Sequence, residues 1–214
     1  MKSNQNNKLT YFQNFELMGK KYVNQKFQLD KEDESKILQL SGYKYKTEPL
    51  LEEFNMDKEK GLFLAGPVGC GKTSFMHILK GDKKNNEFRI ISAIQIVEEY
   101  KKNNSSMPNS LVNVKILCID DIGREPLLNS FGTVVNVIAN LIRERYNKAE
   151  FGNGEITHAT TNFSVEFLNE KYGDDITSRF NSLFNPILFP NNSIDKRKYH
   201  PSKRNEISNI DAKN

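Results

Sequence analysis

The feature that most restricts this chain is Gly66-Pro67-Val68-Gly69-Cys70-Gly71-Lys72-Thr73, which fits G-x-x-x-x-G-K-[ST] in the setting that such a loop needs. Upstream, Leu62, Phe63, Leu64 and Ala65 form the short apolar run of a strand buried on both faces of a parallel sheet. Downstream, Phe75, Met76, Ile78 and Leu79 continue as a helix, and Gly81 stands where a glycine would close it. Strand, glycine loop and helix in that order make a polyphosphate cradle. Glycines let backbone N–H groups turn inward, and the helix N-terminus adds unpaired donors and the positive end of its dipole. Lys72 is then the mobile cation for the β- and γ-phosphates, and the Thr73 hydroxyl is placed to ligate Mg²⁺.

A second stretch, Lys115-Ile116-Leu117-Cys118-Ile119-Asp120-Asp121, is an apolar strand ending in paired acids, the form of a Walker B element. Asp120 is expected to hold Mg²⁺ through water. Asp121, with Glu125 as the second candidate, is expected to orient or activate the attacking water. The plainer alternative is a strand ending in a turn, where Asp is common. Ile156 to Thr161 is β-branched and strand-like, ending at Asn162. An amide at the carboxyl end of a strand faces the crevice in which open α/β sheets bind ligands, where it would position water. It equally suits turn punctuation before a helix capped by Ser164.

At 214 residues the chain suits one domain with extensions: residues 1–49 as a basic, aromatic extension and connector helix, 50–190 as the core, and 191–214 as a polar basic tail expected to be disordered. Cys70 and Cys118 form no C-x-x-C pair, which argues for a reducing compartment, and no apolar run is long enough to cross a bilayer. A cytoplasmic protein without membrane contact is expected. The net charge of +4 permits nucleic-acid contact. Residues 1–29 interleave Lys2, Lys8, Lys20, Lys21 and Lys26 with Tyr11, Phe12, Phe15, Tyr22 and Phe27. That pattern suits either a single-strand binding surface or an arm that packs its rings on a neighbouring subunit, and a protein-docking or packing role is the favoured reading, since aromatic rings are more often buried than displayed. Ser92 to Gln95 fits a capping box. Asn129 or Ser130 is expected to cap a long helix bearing Val134, Val135, Ile138, Leu141, Ile142 and Tyr146, with Arg143 and Arg145 off that stripe and solvated.

Gly66–Thr73, the Ile-Asp-Asp-Ile-Gly-Arg-Glu run from Ile119 to Glu125, Thr160-Thr161-Asn162 and Thr177-Ser178-Arg179-Phe180 together resemble the AAA+ ATPases. The likeness covers roughly residues 50–190 and is to the branch of DnaC-type helicase loaders and IstB-type transposition helpers. It implies an α/β P-loop NTPase fold of AAA+ type: a five-stranded parallel sheet flanked by helices, the P-loop strand central, with no helical lid domain. Arg197 is the residue available to replace a lid arginine. The resemblance also implies ATP and Mg²⁺ as cofactors, Asn162 as the sensor of the γ-phosphate or its water, and Arg179 as an arginine finger. Such a finger reaches the neighbouring subunit's ATP, so a homo-oligomer with ATP at its subunit interfaces follows. The implied activity is ATP hydrolysis, completed on assembly and slow because Asp121 is one methylene shorter than the usual glutamate. The implied partners are single-stranded DNA and/or a replicative helicase, with ATP-controlled release. Two alternatives stand beside it: a transposition helper on duplex DNA, and a nucleotide-gated binding module with little turnover.

Overall fold

The computed structural model describes residues 2–130, 132–150, 155–193 and 195–196. In chain order α1 (Lys2–Tyr22), a 3₁₀ turn (Lys31–Asp33), α2 (Glu34–Tyr45) and α3 (Glu48–Glu53) precede β1 (Gly61–Ala65). There follow α4 (Lys72–Lys80), β2 (Phe88–Ser92), α5 (Ala93–Lys102), α6 (Asn109–Val112) and β3 (Ile116–Ile122). A hairpin of β4 (Leu128–Ser130) and β5 (Thr133–Val135) leads to α7 (Val137–Glu150), β6 (Ile156–Thr161), α8 (Val165–Tyr172), α9 (Asp174–Leu183) and β7 (Phe184–Leu188).

Five strands form one parallel sheet in the order β2-β3-β6-β1-β7. The P-loop strand is interior but not in the middle. β7 pairs outside it, Leu62 opposite Asn185 and Leu64 opposite Ile187, so β6 takes the central position. Alternation along β1 divides two cores. Phe63 joins Leu117, Ile119 and Ala159 under α5, α7 and α9, whereas Leu62 and Leu64 face α1, α2 and α4 with Phe88, Cys118 and Ile187. α1 belongs to that second core. Its Phe15 is fully buried, 6.2 Å from the Phe75 ring of α4, and Phe27 is buried too. These two rings pack in the chain's own core rather than on a neighbouring subunit; each contributes about 2 kcal/mol by burial. Among the described residues no helix is long and apolar enough to cross a membrane.

Local chemistry explains where the chain obeys its sequence and where it departs. The Ser92–Gln95 capping box forms, with Gln95 N donating to Ser92 Oγ and Ser92 N to Gln95 Oε1, both at 3.2 Å. Asn129 and Ser130, by contrast, do not stand at a helix start: they lie in β4, paired antiparallel with β5. The β-branched Thr133-Val134-Val135 run behind Gly132 at φ +80° favours a hairpin over the first turns of a helix. Val134 is exposed, and α7 starts only at Val137, its first turn held by Asn136 Oδ1 accepting from Ala139 N at 3.1 Å.

Arg145 also corrects the expectation of a solvated side chain, because it is fully buried. Its guanidinium donates to the carbonyls of Leu111, Val112, Val114 and Ile156 at 2.8–3.1 Å and, through Nε, to Thr157 Oγ1 at 2.7 Å. Five acceptors from three segments thereby close on one side chain, and burial lowers its pKa to about 10. The tail expected to be disordered over 191–214 is placed at 191–193 and 195–196, where Lys196 bonds Gly69 and Asp33; from residue 197 on, Arg197 included, it lies outside the described residues.

Two measurements test this packing. Arg145→Ala leaves buried carbonyls without donors and is expected to cost at least about 3 kcal/mol in denaturant unfolding, with Arg145→Lys in between. His158, buried between the Phe88 ring at 5.3 Å and the Tyr43 ring at 5.8 Å, accepts at Nδ1 from Leu62 N at 2.9 Å and is therefore neutral. Burial, aided by the positive charge of Arg145, lowers its pKa to about 3. The unfolded chain takes up this proton near pH 6.5, so the stability is whole above that pH and is lost as pH falls toward 3. Between pH 7 and pH 5 the wild type should lose about 2 kcal/mol more than His158→Gln, which keeps an acceptor but no titration.

Candidate nucleotide site

The parallel register sets the carboxyl ends of β1, β3 and β6 side by side, and the three sequence motifs leave the sheet there. After β1 the chain turns through Gly66, Gly69 and Gly71 at φ +155°, +83° and +103°. At Gly66 a side chain has no room: a Cβ would lie 2.5 Å from the Phe189 side chain. Phe189 N also donates to Ala65 O at 2.8 Å, and its ring stacks on Phe75 at 5.8 Å. The segment after β7 therefore braces the P-loop from behind, and Lys196 N reaches Gly69 O at 3.0 Å. α4 begins at Lys72, directly after Gly71, so its free N–H groups lie at the loop.

Lys72 is buried, and its three ammonium protons have three oxygen acceptors: Gly66 O and Pro67 O at 2.8 Å and Asn162 Oδ1 at 2.7 Å. Burial lowers its pKa, opposed by nearby Cys70, Asp121 and Asp120. Thr73 Oγ1 lies 3.0 and 3.1 Å from the two oxygens of Asp120. A hydroxyl beside a carboxylate, with oxygen donors alone, suits a hard divalent cation, and the positive-φ glycine loop at a helix N-terminus suits a polyphosphate. The residues present fit Mg²⁺–ATP.

Asn162 joins the lysine to the acids, since its Nδ2 donates to Asp121 Oδ1 at 2.9 Å. Asn162 lies in the bend between β6 and the α8 that Ser164 caps, so its turn position and its place beside Lys72 and Asp121 coincide. Two further residues enter that the motif reading gave no task. Thr160 Oγ1 donates to Asp120 Oδ1 at 2.6 Å and accepts from Asp121 N at 2.9 Å, fixing both acids from the central strand. In the sequence it stood only as part of the Thr160-Thr161-Asn162 run, at the end of β6. Arg124 Nη1 lies 3.3 Å from Asp121 Oδ2.

Glu125 is not brought to this cluster. Its carboxylate is buried, accepting from Gly123 N at 2.9 Å and from Tyr172 OH at 2.8 Å, with Lys171 Nζ at 3.5 Å. Those contacts turn it toward α8 rather than toward Lys72 and Asp121. Arg179, on α9, sits over the Tyr146 ring at 5.2 Å and bonds Asp175. Its partners are thus on α7 and α9 rather than at the P-loop of its own chain.

No protein-family model matches the chain, and no curated protein matches it by sequence. Solved structures match by fold. A candidate primosome component from Streptococcus pyogenes serotype M3 superposes with a TM-score of 0.51 at 20% identity, over 75% of this chain and 82% of its own. AMPPCP-bound DnaA from Aquifex aeolicus gives 0.53 at 17% identity, over 88% of this chain and 56% of its own. A DnaA bound to AMPPCP and single-stranded DNA gives 0.51 at 16%, over 89% and 56%. This chain therefore spans little more than half the length of those DnaA chains. At these identities the likeness shows the fold alone, an α/β fold built on a five-stranded parallel sheet flanked by helices.

Lys72→Ala should weaken the binding of a fluorescent ATP analogue at least about 100-fold, as loss of a buried, charge-assisted contact implies. Its thermal midpoint without nucleotide should stay within about 5 °C of wild type, because all three acceptors of Lys72 belong to a partly exposed loop and one amide. Retained affinity would remove Gly66–Thr73 as the nucleotide cradle.

Proposed function

We propose that this chain is an assembly-dependent ATPase of the helicase-loader type. In this reading it binds Mg²⁺–ATP at Gly66–Thr73, assembles with copies of itself on single-stranded DNA and/or a replicative helicase, and lets go after hydrolysis. The observation that carries the proposal is the hydrogen-bonded line Lys72–Asn162–Asp121, which puts a cation, an amide and a carboxylate in one crevice. When bound, Mg²⁺–ATP supplies the electrophilic γ-phosphorus and the metal that neutralises its oxygens. Thr73 and Asp120 would hold the metal; Lys72 would bind phosphate oxygens. Asn162 would orient the water with Asp121, the carboxylate that takes its proton.

Arg179 is assigned the part of a finger acting on the neighbouring subunit's nucleotide. Its distance in sequence and contact from its own P-loop supports that, as does its position on α9, where it keeps a partly exposed guanidinium. The fold relatives support the nucleotide and the setting: one is a candidate primosome component, and DnaA has been seen with AMPPCP and single-stranded DNA. One observation favours the nucleotide-gated binding module instead. Both carboxylate oxygens of Asp121 are already engaged, by Asn162 and Arg124, which favours slow turnover.

The test is ATP hydrolysis across protein concentrations, with and without single-stranded DNA. Specific activity should rise with concentration and DNA, and fall on the order of 10³-fold in Arg179→Ala. Mixing Arg179→Ala with Asp121→Asn should restore part of it, because each variant supplies the half that the other lacks. Activity that is flat with concentration and indifferent to Arg179 would transfer the assignment to the binding module.

A further inference from the structure

We propose that Arg124 restrains Asp121 within the same subunit by occupying its second carboxylate oxygen. The inference rests on the assignment of Asp121 made above. β3 does not end as a regular strand. Its pairing with β6 shifts register between Ile119 and Ile122, and Asp121 takes φ +57°, a left-handed conformation that few side chains adopt. The distortion turns Asp121 out of the ladder, where Asn162 Nδ2 holds Oδ1 at 2.9 Å and Arg124 Nη1 holds Oδ2 at 3.3 Å.

Arg124 is not left to wander. Gly123 N donates both to Glu125 Oε2 at 2.9 Å and to Tyr172 OH at 2.8 Å, and Lys171 Nζ donates to Glu125 O at 2.6 Å. A Cβ on Gly123 would meet the Phe163 ring at 2.5 Å, so the turn is closed on that side as well. This buried base gives the backbone of Arg124 one place, from which an otherwise exposed guanidinium, 44% accessible, folds back three residues onto Asp121.

The two contacts on Asp121 do different things. Asn162 already fixes the plane of the carboxylate, so Arg124 adds little to its orientation. Instead it occupies the second oxygen and places a positive charge on the lone pair that a water proton must reach. An ion pair this exposed is easily broken and is weakened by salt. It therefore slows the step that uses Asp121 without abolishing it.

The experiment compares wild type, Arg124→Ala and Arg124→Lys for turnover at saturating Mg²⁺–ATP, with nucleotide affinity measured separately by fluorescence. Arg124→Ala should raise kcat about two- to fivefold, with KM and affinity unchanged within about twofold, while Arg124→Lys stays near wild type. The ratio of variant to wild type should shrink toward one as salt rises. In the protein without nucleotide, the Arg124 side-chain ¹⁵N–¹H resonances should shift on Asp121→Asn. An unchanged or lowered kcat in Arg124→Ala, turnover undetectable in both, or resonances indifferent to Asp121→Asn overturns the proposal. Full turnover in Asp121→Asn overturns the underlying assignment of Asp121 instead, and the resonance shift still reports the contact on its own.

Discussion

Everything at the candidate site depends on parallel pairing of β6 between β1 and β3. Parallel strands carry their carboxyl ends to one edge, so three motifs separated by up to 90 residues become neighbours without any loop having to reach. The central strand then does more than space the others. From it Thr160 grips Asp120 and the amide of Asp121, and Asn162, one residue past its end, spans the gap between Asp121 and Lys72. Displacing β6 by a single register step would turn Thr160 to the opposite face of the sheet and separate the acids from the lysine.

What the sequence made legible follows from that geometry. Glycine spacing, apolar runs and paired acids are local signals, and each of them states its own backbone requirement; hence the P-loop, Asp120 and Asp121 could be placed by reading alone. The tasks of Thr160, Arg124 and Glu125 are set by what lies across the sheet or on α8, and no local pattern reports that. Glu125 shows the limit well. As an acid four residues after Asp121 it reads as a catalytic candidate, yet the buried hydroxyl of Tyr172, 47 positions later, claims it. Arg145 failed for a similar reason. Its helical spacing does not distinguish a solvated arginine from one that collects the carbonyls of α6, the loop after it and the start of β6. The missed hairpin at β4 and β5 was a contest between two periodicities within eight residues, and β-branched side chains at a glycine turn decided it.

The P-loop depends on support from both ends of the described chain. Phe189 fills the space that glycine leaves at position 66, while Lys36 of α2 lies over its ring at 5.4 Å. Lys196 closes the same corner by pairing with the buried Asp33 and donating its backbone N–H to Gly69. N-terminal helices and the segment after β7 thus meet on the loop that is to hold the phosphates. A shift of the loop has to be shared with α2 through Phe189 and Lys196.

A second path runs the other way, from the acids toward α9. Gly123 and Glu125 anchor the turn after Asp121 to Tyr172 and Lys171 at the end of α8. Only Gly173 separates α8 from α9, and Asn169 bridges the two helices through Asp174 and Thr177. The helix that carries Arg179 is therefore joined through hydrogen bonds to the turn that carries Arg124. If Arg179 serves a neighbouring subunit, docking it loads α9, and the load reaches the carboxylate of its own subunit through Glu125. Glu125 thereby stands in the contact path between the end of α8 and the turn after Asp121.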